Sequence, residues 1–130
     1  MPLTVYWLNH RQSVLVYEIV APWTMGEFYN ALIRASELQA SVDAPIFILY
    51  DFRQGERFPR DFLSGINEMM RRRRESVYLR IVVGANVLLH VMYRLVRTIS
   101  PQLGEKFVFV DTMHEALVLL DTYTPNTPPA

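Results

Sequence analysis

A hairpin leading into three repeats of buried strand followed by amphipathic helix constrains this chain more than any other feature. Thr4–Leu8 and Ser13–Val20 are rich in β-branched and aromatic residues and are separated by Asn9-His10-Arg11-Gln12, the pattern of two hairpin arms around a four-residue loop. The first arm alternates and suits a sheet edge. The second is apolar almost throughout, as a strand covered on both faces is. Ile46–Phe52, Tyr78–Gly84 and Phe107–Asp111 are the later strands, each followed by a helix-start signal. At 130 residues the chain is long enough for one core that buries about two-thirds of the unfolded surface.

Local chemistry marks the helix starts. Thr24-Met25-Gly26-Glu27 is a capping box, with Trp23 placed to staple onto Phe28. Phe28, Leu32, Ala35 and Leu38 or Gln39 then recur at helical spacing and leave Arg34 and Glu37 outward. Pro59 suits a first helical position, ahead of a stripe of Phe62, Ile66 and Met69 or Met70. Asn86 can cap a third helix with a core face of Leu88, Val91 or Met92, Leu95 and Ile99, stopped by Pro101. Thr112 and Glu115 offer a second capping box ahead of Ala116–Leu120. Thr122–Ala130 carries three prolines and no core former, so a folded domain over 1–121 and a disordered tail over 122–130 are expected.

Strand–helix–strand crossovers are right-handed, which makes the second arm and the three later strands parallel and the first arm antiparallel beside them. The expected fold class is therefore α/β, a single-domain mixed five-stranded sheet with four helices. Ligands of such open sheets bind beyond the carboxyl ends of the strands. That edge collects Asp51, Arg53, Gly84, Asn86, Asp111 and Thr112.

Composition removes several classes of function. The formal net charge is zero, which gives no global steering toward nucleic acid or membranes. Without cysteine there is no disulfide, thiolate metal site or cysteine nucleophile. No basic n-region leads an apolar stretch at the N-terminus, and Val87–Tyr93, interrupted by His90, is far short of a membrane span of about 20 residues. A cytoplasmic location is the expectation. His10, His90 and His114 have no partner at metal-ligand spacing, and His90 shares a helix with Arg94 and Arg97 away from its apolar stripe, so it reads as a surface residue. No Gly-x-Ser-x-Gly elbow and no glycine-rich phosphate loop occurs. Neither a metal nor a cofactor is expected, and the chain reads as a non-enzyme.

The order hairpin, helix, strand, helix, strand, helix, strand, short helix resembles the STAS domain family, the anti-sigma-factor antagonists and their relatives, over residues 3–121. Asp51-Phe52-Arg53 is similar to that family's acidic strand exit, and Val82-Val83-Gly84-Ala85-Asn86 and Phe109-Val110-Asp111-Thr112 with Glu115-Ala116 are similar to its strand-to-helix endings. The resemblance implies a bacterial regulatory or protein-interaction module whose partner is a kinase or an anti-sigma factor. It also implies a phosphorylatable serine at the start of the second helix. Here that position reads Phe58-Pro59-Arg60-Asp61-Phe62, without a hydroxyl, and Ser64 lies about one turn inside.

The remaining candidates each have a plainer reading. Asp51 as a phosphoacceptor would need paired acids after the first parallel strand and a lysine after the last, where Ala21-Pro22-Trp23 and Asp111-Thr112-Met113 stand, so capping its turn or pairing with Arg53 is expected instead. Arg60-Asp61 puts a carboxylate where a helix N-terminus favours an anion and could mimic a phosphorylated switch, but acids are common in first turns. Arg71–Arg74 reads as a solvated helix end, and no aromatic interleaving points it to nucleic acid. Trp7, Trp23, Tyr29 and Tyr93 read as core. A pocket floored by Tyr50 and Phe52 would suit a small apolar ligand, the alternative to a protein partner. A hydrophobic share of 51% also leaves room for a homodimer.

Overall fold

The computed structural model describes residues 3–8, 12–55, 57–62, 64, 77–84, 90, 91, 94, 98 and 107–126, with side chains placed up to Thr122 in the last of these. Five strands form one sheet: β1 (Leu3–Trp7), β2 (Val14–Val20), β3 (Ile46–Gln54), β4 (Val77–Val83) and β5 (Phe107–Val110). Their spatial order equals their chain order; β1 and β2 are antiparallel and every later pair is parallel. The expected mixed sheet is present, with β1 at its edge.

Two helices are continuous among the described residues, not the four expected. They are α1 (Met25–Ala40) and α2 (Met113–Asn126). Most of the helices expected from Pro59 and from Asn86 lies outside the described residues, as do the hairpin residues Asn9–Arg11, Arg71–Arg74 and Tyr93. The last helix is longer than its apolar pattern suggests and runs through Thr122–Asn126, assigned from sequence to a disordered tail. Pro125, which cannot donate a backbone hydrogen bond, falls in its final turn, one residue before it ends.

Strand alternation sends side chains to two cores. Leu15, Tyr17 and Ile19 of β2, Ile46, Ile48, Tyr50 and Phe52 of β3 and Val82 of β4 face α1, whose Met25, Phe28, Ala31 and Ala35 are buried against them. Val14 and Val16, Phe47 and Leu49, and Leu79, Ile81 and Val83 take the other face, together with Ala116 and Leu120 of α2. Because both faces are covered, β2 and β3 are apolar at nearly every position.

The α1 start is built as the sequence implies. The Glu27 backbone N–H donates to Thr24 Oγ1 at 3.1 Å, and the Thr24 N–H donates to Glu27 Oε1 at 2.9 Å. Trp23 sits 5.7 Å from the Phe28 ring, and its other neighbours are Phe52, Phe58 and Phe62. Its indole N–H donates to the Gly55 carbonyl at 3.3 Å, which satisfies the one polar atom of a buried ring. Tyr29, read as core, is instead exposed on α1, and His90, read as a surface residue, is half-buried with its ring 4.6 Å from that of Phe109.

Candidate functional site at the strand ends

Residues two apart on a strand share a face, and this brings Asp51 and Arg53 together at the end of β3. Arg53 Nε donates to Asp51 Oδ1 at 2.9 Å and Nη2 to Oδ2 at 2.8 Å, a bidentate fork. The Arg53 backbone N–H adds a third bond to Oδ1 at 3.1 Å. Asp51 is buried at 7% exposure, while 47% of the Arg53 side chain is open to solvent. Burial by itself pushes the Asp51 carboxyl up. The hydrogen bonds and charge of Arg53 outweigh it and hold the carboxyl below the usual carboxylate range. The same hydrogen bond holds the guanidinium above its ordinary value.

The neighbouring strands complete a polar strip on this face. Glu18 of β2 stands beside Asp51 in the parallel register, and Tyr6 of β1 donates its hydroxyl to Glu18 Oε2 at 3.2 Å. Burial, then the Glu18 hydrogen bond and charge, raise the Tyr6 hydroxyl above the normal phenol value. Tyr6, Glu18 and Arg53 are exposed, so an acid and a cation lie next to each other on an otherwise apolar sheet face.

Gly84 sets the position of Arg53. It ends β4 with φ +71, and its N–H donates to the Val110 carbonyl at 3.0 Å, which ties the β4 exit to β5. A Cβ placed there would lie 2.7 Å from Arg53 Cγ and 3.1 Å from Arg53 Cα. The arginine stem therefore crosses the strand ends through space that only glycine leaves.

The other sequence candidates are not all assembled with this pair. Arg60 and Asp61 are exposed in the turn after β3, where the Phe62 N–H donates to the Pro59 carbonyl at 3.1 Å. Ser64 is exposed, and its hydroxyl donates to the Asp61 carbonyl at 3.3 Å. Asp111 is exposed just beyond β5, and Asn86 lies outside the described residues. The Thr112 hydroxyl accepts from the Glu115 N–H at 3.1 Å and starts α2.

Sequence reading overlooked three members. Glu18 interrupts the apolar run of β2 at a single position, and Tyr6 falls on the same face of β1; that interruption was the available signal. Arg80 is the third, a cation buried to 7% on the α1 face of β4. It donates through Nη1 to Tyr50 Oη at 2.7 Å and stands 5.9 Å from the Phe107 ring centre. Tyr17, whose ring lies tilted 4.9 Å from that of Tyr50, has its hydroxyl pushed well above the normal phenol value by burial, and further by Tyr50. The floor expected for an apolar ligand is thus packed: Tyr50 engages Arg80 and Tyr17, and Phe52 lies against Trp23 and Phe58.

Among the described residues no three His, Asp or Glu side chains stand close enough to hold a metal ion, and no helix is long and apolar enough to cross a membrane. Compared with known proteins, the chain matches no family model and no curated protein.

Proposed function

We propose that this chain is a non-catalytic regulatory or protein-interaction module of a bacterial cytoplasm, a divergent STAS-like domain. Its contact surface is the strip of Tyr6, Glu18, Asp51 and Arg53, continued by Arg60 and Asp61 beyond β3. The observation that carries this reading is the Arg53 guanidinium: Asp51 fixes it in one orientation, Gly84 leaves room for its stem, and half of it faces solvent. A cation held in advance loses little freedom when it meets a carboxylate or phosphate on a partner. That suits a kinase or anti-sigma factor as partner, without a hydroxyl switch at the start of the second helix. A carrier of small apolar ligands is the weaker reading, because rings occupy the floor it would use.

A site-specific photo-crosslinker tests the surface. Thr4 is exposed on the strip's face of β1, and Ser36 is exposed on α1. Placed at Thr4, the probe is expected to capture one protein in cell extract that it does not capture from Ser36. Excess unlabelled chain should compete and Arg53→Glu should not. Equal capture from both positions, or equal competition by Arg53→Glu, would sink the reading.

A further inference from the structure

We infer that α2 carries a self-complementary stripe through which two copies of this chain associate about a two-fold axis. At 100° per residue, His114, Leu117, Val118 and Asp121 span a sector of about 100°, with His114 and Asp121 along its middle and Leu117 and Val118 at its two edges, on the side away from the buried Ala116. Leu117 is 41% exposed and Val118 50%, so two large apolar residues meet solvent midway along the stripe, one at each edge. His114 and Asp121, both exposed, bound it at either end, two helical turns apart.

That arrangement is complementary to its own reverse. Lay a second α2 antiparallel on the first, with the axis between residues 117 and 118. Each Leu117 then meets the partner's Leu117 along one edge, each Val118 meets the partner's Val118 along the other, and each His114 meets the partner's Asp121 between them. Two imidazole–carboxylate contacts flank one apolar centre, and no like charges oppose each other along the stripe. An isologous contact requires this self-matching, which a different partner would not. Glu115, the nearest other acid, is turned aside by its hydrogen bond with the Thr112 hydroxyl. A groove of about 490 Å³ between α2 and β5, lined by Val108, Val110 and Leu119 and on the stripe's side by His114, Glu115 and Val118, offers a recess for side chains of the second copy. One helix pair is a small contact, so the dimer should be weak and concentration-dependent.

Sedimentation equilibrium of the full chain over a wide concentration range is the test. The wild type should pass from monomer to dimer. Val118→Asp, at a half-exposed position, should keep the circular dichroism of the wild type and weaken association about tenfold or more. His114→Asp should weaken it several-fold, by facing two carboxylates, and adding Asp121→His should restore it. A wild type that stays monomeric throughout overturns the proposal and gives the stripe to another partner. So does a dimer indifferent to Val118→Asp, or a double variant no better than His114→Asp.

Discussion

Replacing Gly84 with alanine should destabilise the fold and release Arg53 together, by an amount that can be worked from two contributions. The first is backbone strain: at φ +71 an L-residue costs roughly 1–2 kcal/mol. The second is overlap, since the new methyl would sit 2.7 Å from Arg53 Cγ and 3.1 Å from its Cα. Overpacking of this kind costs about 1–3 kcal/mol. Alanine also restricts the unfolded chain, which returns roughly 0.4–1 kcal/mol. The net expectation is a loss of about 1–4.5 kcal/mol, centred near 3, read as a lower denaturation midpoint at unchanged slope. The two contributions separate in an Arg53→Ala background, where Cγ is gone while the strain and the close approach to the residue 53 backbone remain. There Gly84→Ala should cost about 1 kcal/mol less than in the wild type, the coupling expected of residues in contact. A Gly84→Ala cost below about 0.5 kcal/mol, or an equal cost in both backgrounds, would refute the idea that glycine makes room for the arginine stem.

Asp51→Asn should cost about 1 kcal/mol at neutral pH, a small figure because the arginine is half exposed. Since the Asp51 carboxyl titrates lower folded than unfolded, its contribution is present above the unfolded value of about 4 and is lost as pH falls through the folded one, so the gap between wild type and variant should close in acid. Denaturation curves from neutral to acid pH check the sign, and a gap that widens in acid would count against it. Tyr50→Phe leaves the buried Arg80 without the acceptor now 2.7 Å away and should cost about 1–3 kcal/mol, whereas a neutral result in the same assay would mean another group takes its place.

What could be read along the chain, and what could not, follows from the range of each interaction. The capping box, the staple of Trp23 on Phe28 and the pairing of Asp51 with Arg53 are made between residues two to five apart. Helix and strand geometry alone brings such residues together. The strand directions were legible too, because a helix between two strands returns the chain to run parallel to the first. The apolar pattern of β4 likewise showed a buried strand, but not what lies over each of its positions. Arg80 is accommodated there because Tyr50 of β3 and Phe107 of β5 flank it, and both are set by register across strands. His90 meets Phe109, nineteen residues further along, by packing of one element on another rather than by strand register.

The site divides along that line. Its ion pair is local. Its environment is not: Glu18 reaches Asp51 only through the β2–β3 register, and Gly84 reaches Arg53 only because β4 ends beside β3. A glycine after an apolar run reads as an ordinary strand exit, and nothing nearby in sequence says that an arginine stem lies against it. The left-handed φ explains why glycine is favoured at 84, and the crowding by Arg53 explains why other residues that tolerate that φ would still not fit. Asparagine tolerates positive φ better than alanine but carries the same Cβ. Gly84→Asn should therefore relieve the strain and keep the clash. If it matched the wild type in stability, conformation alone would account for the glycine, and the fixed position of Arg53 would need another cause.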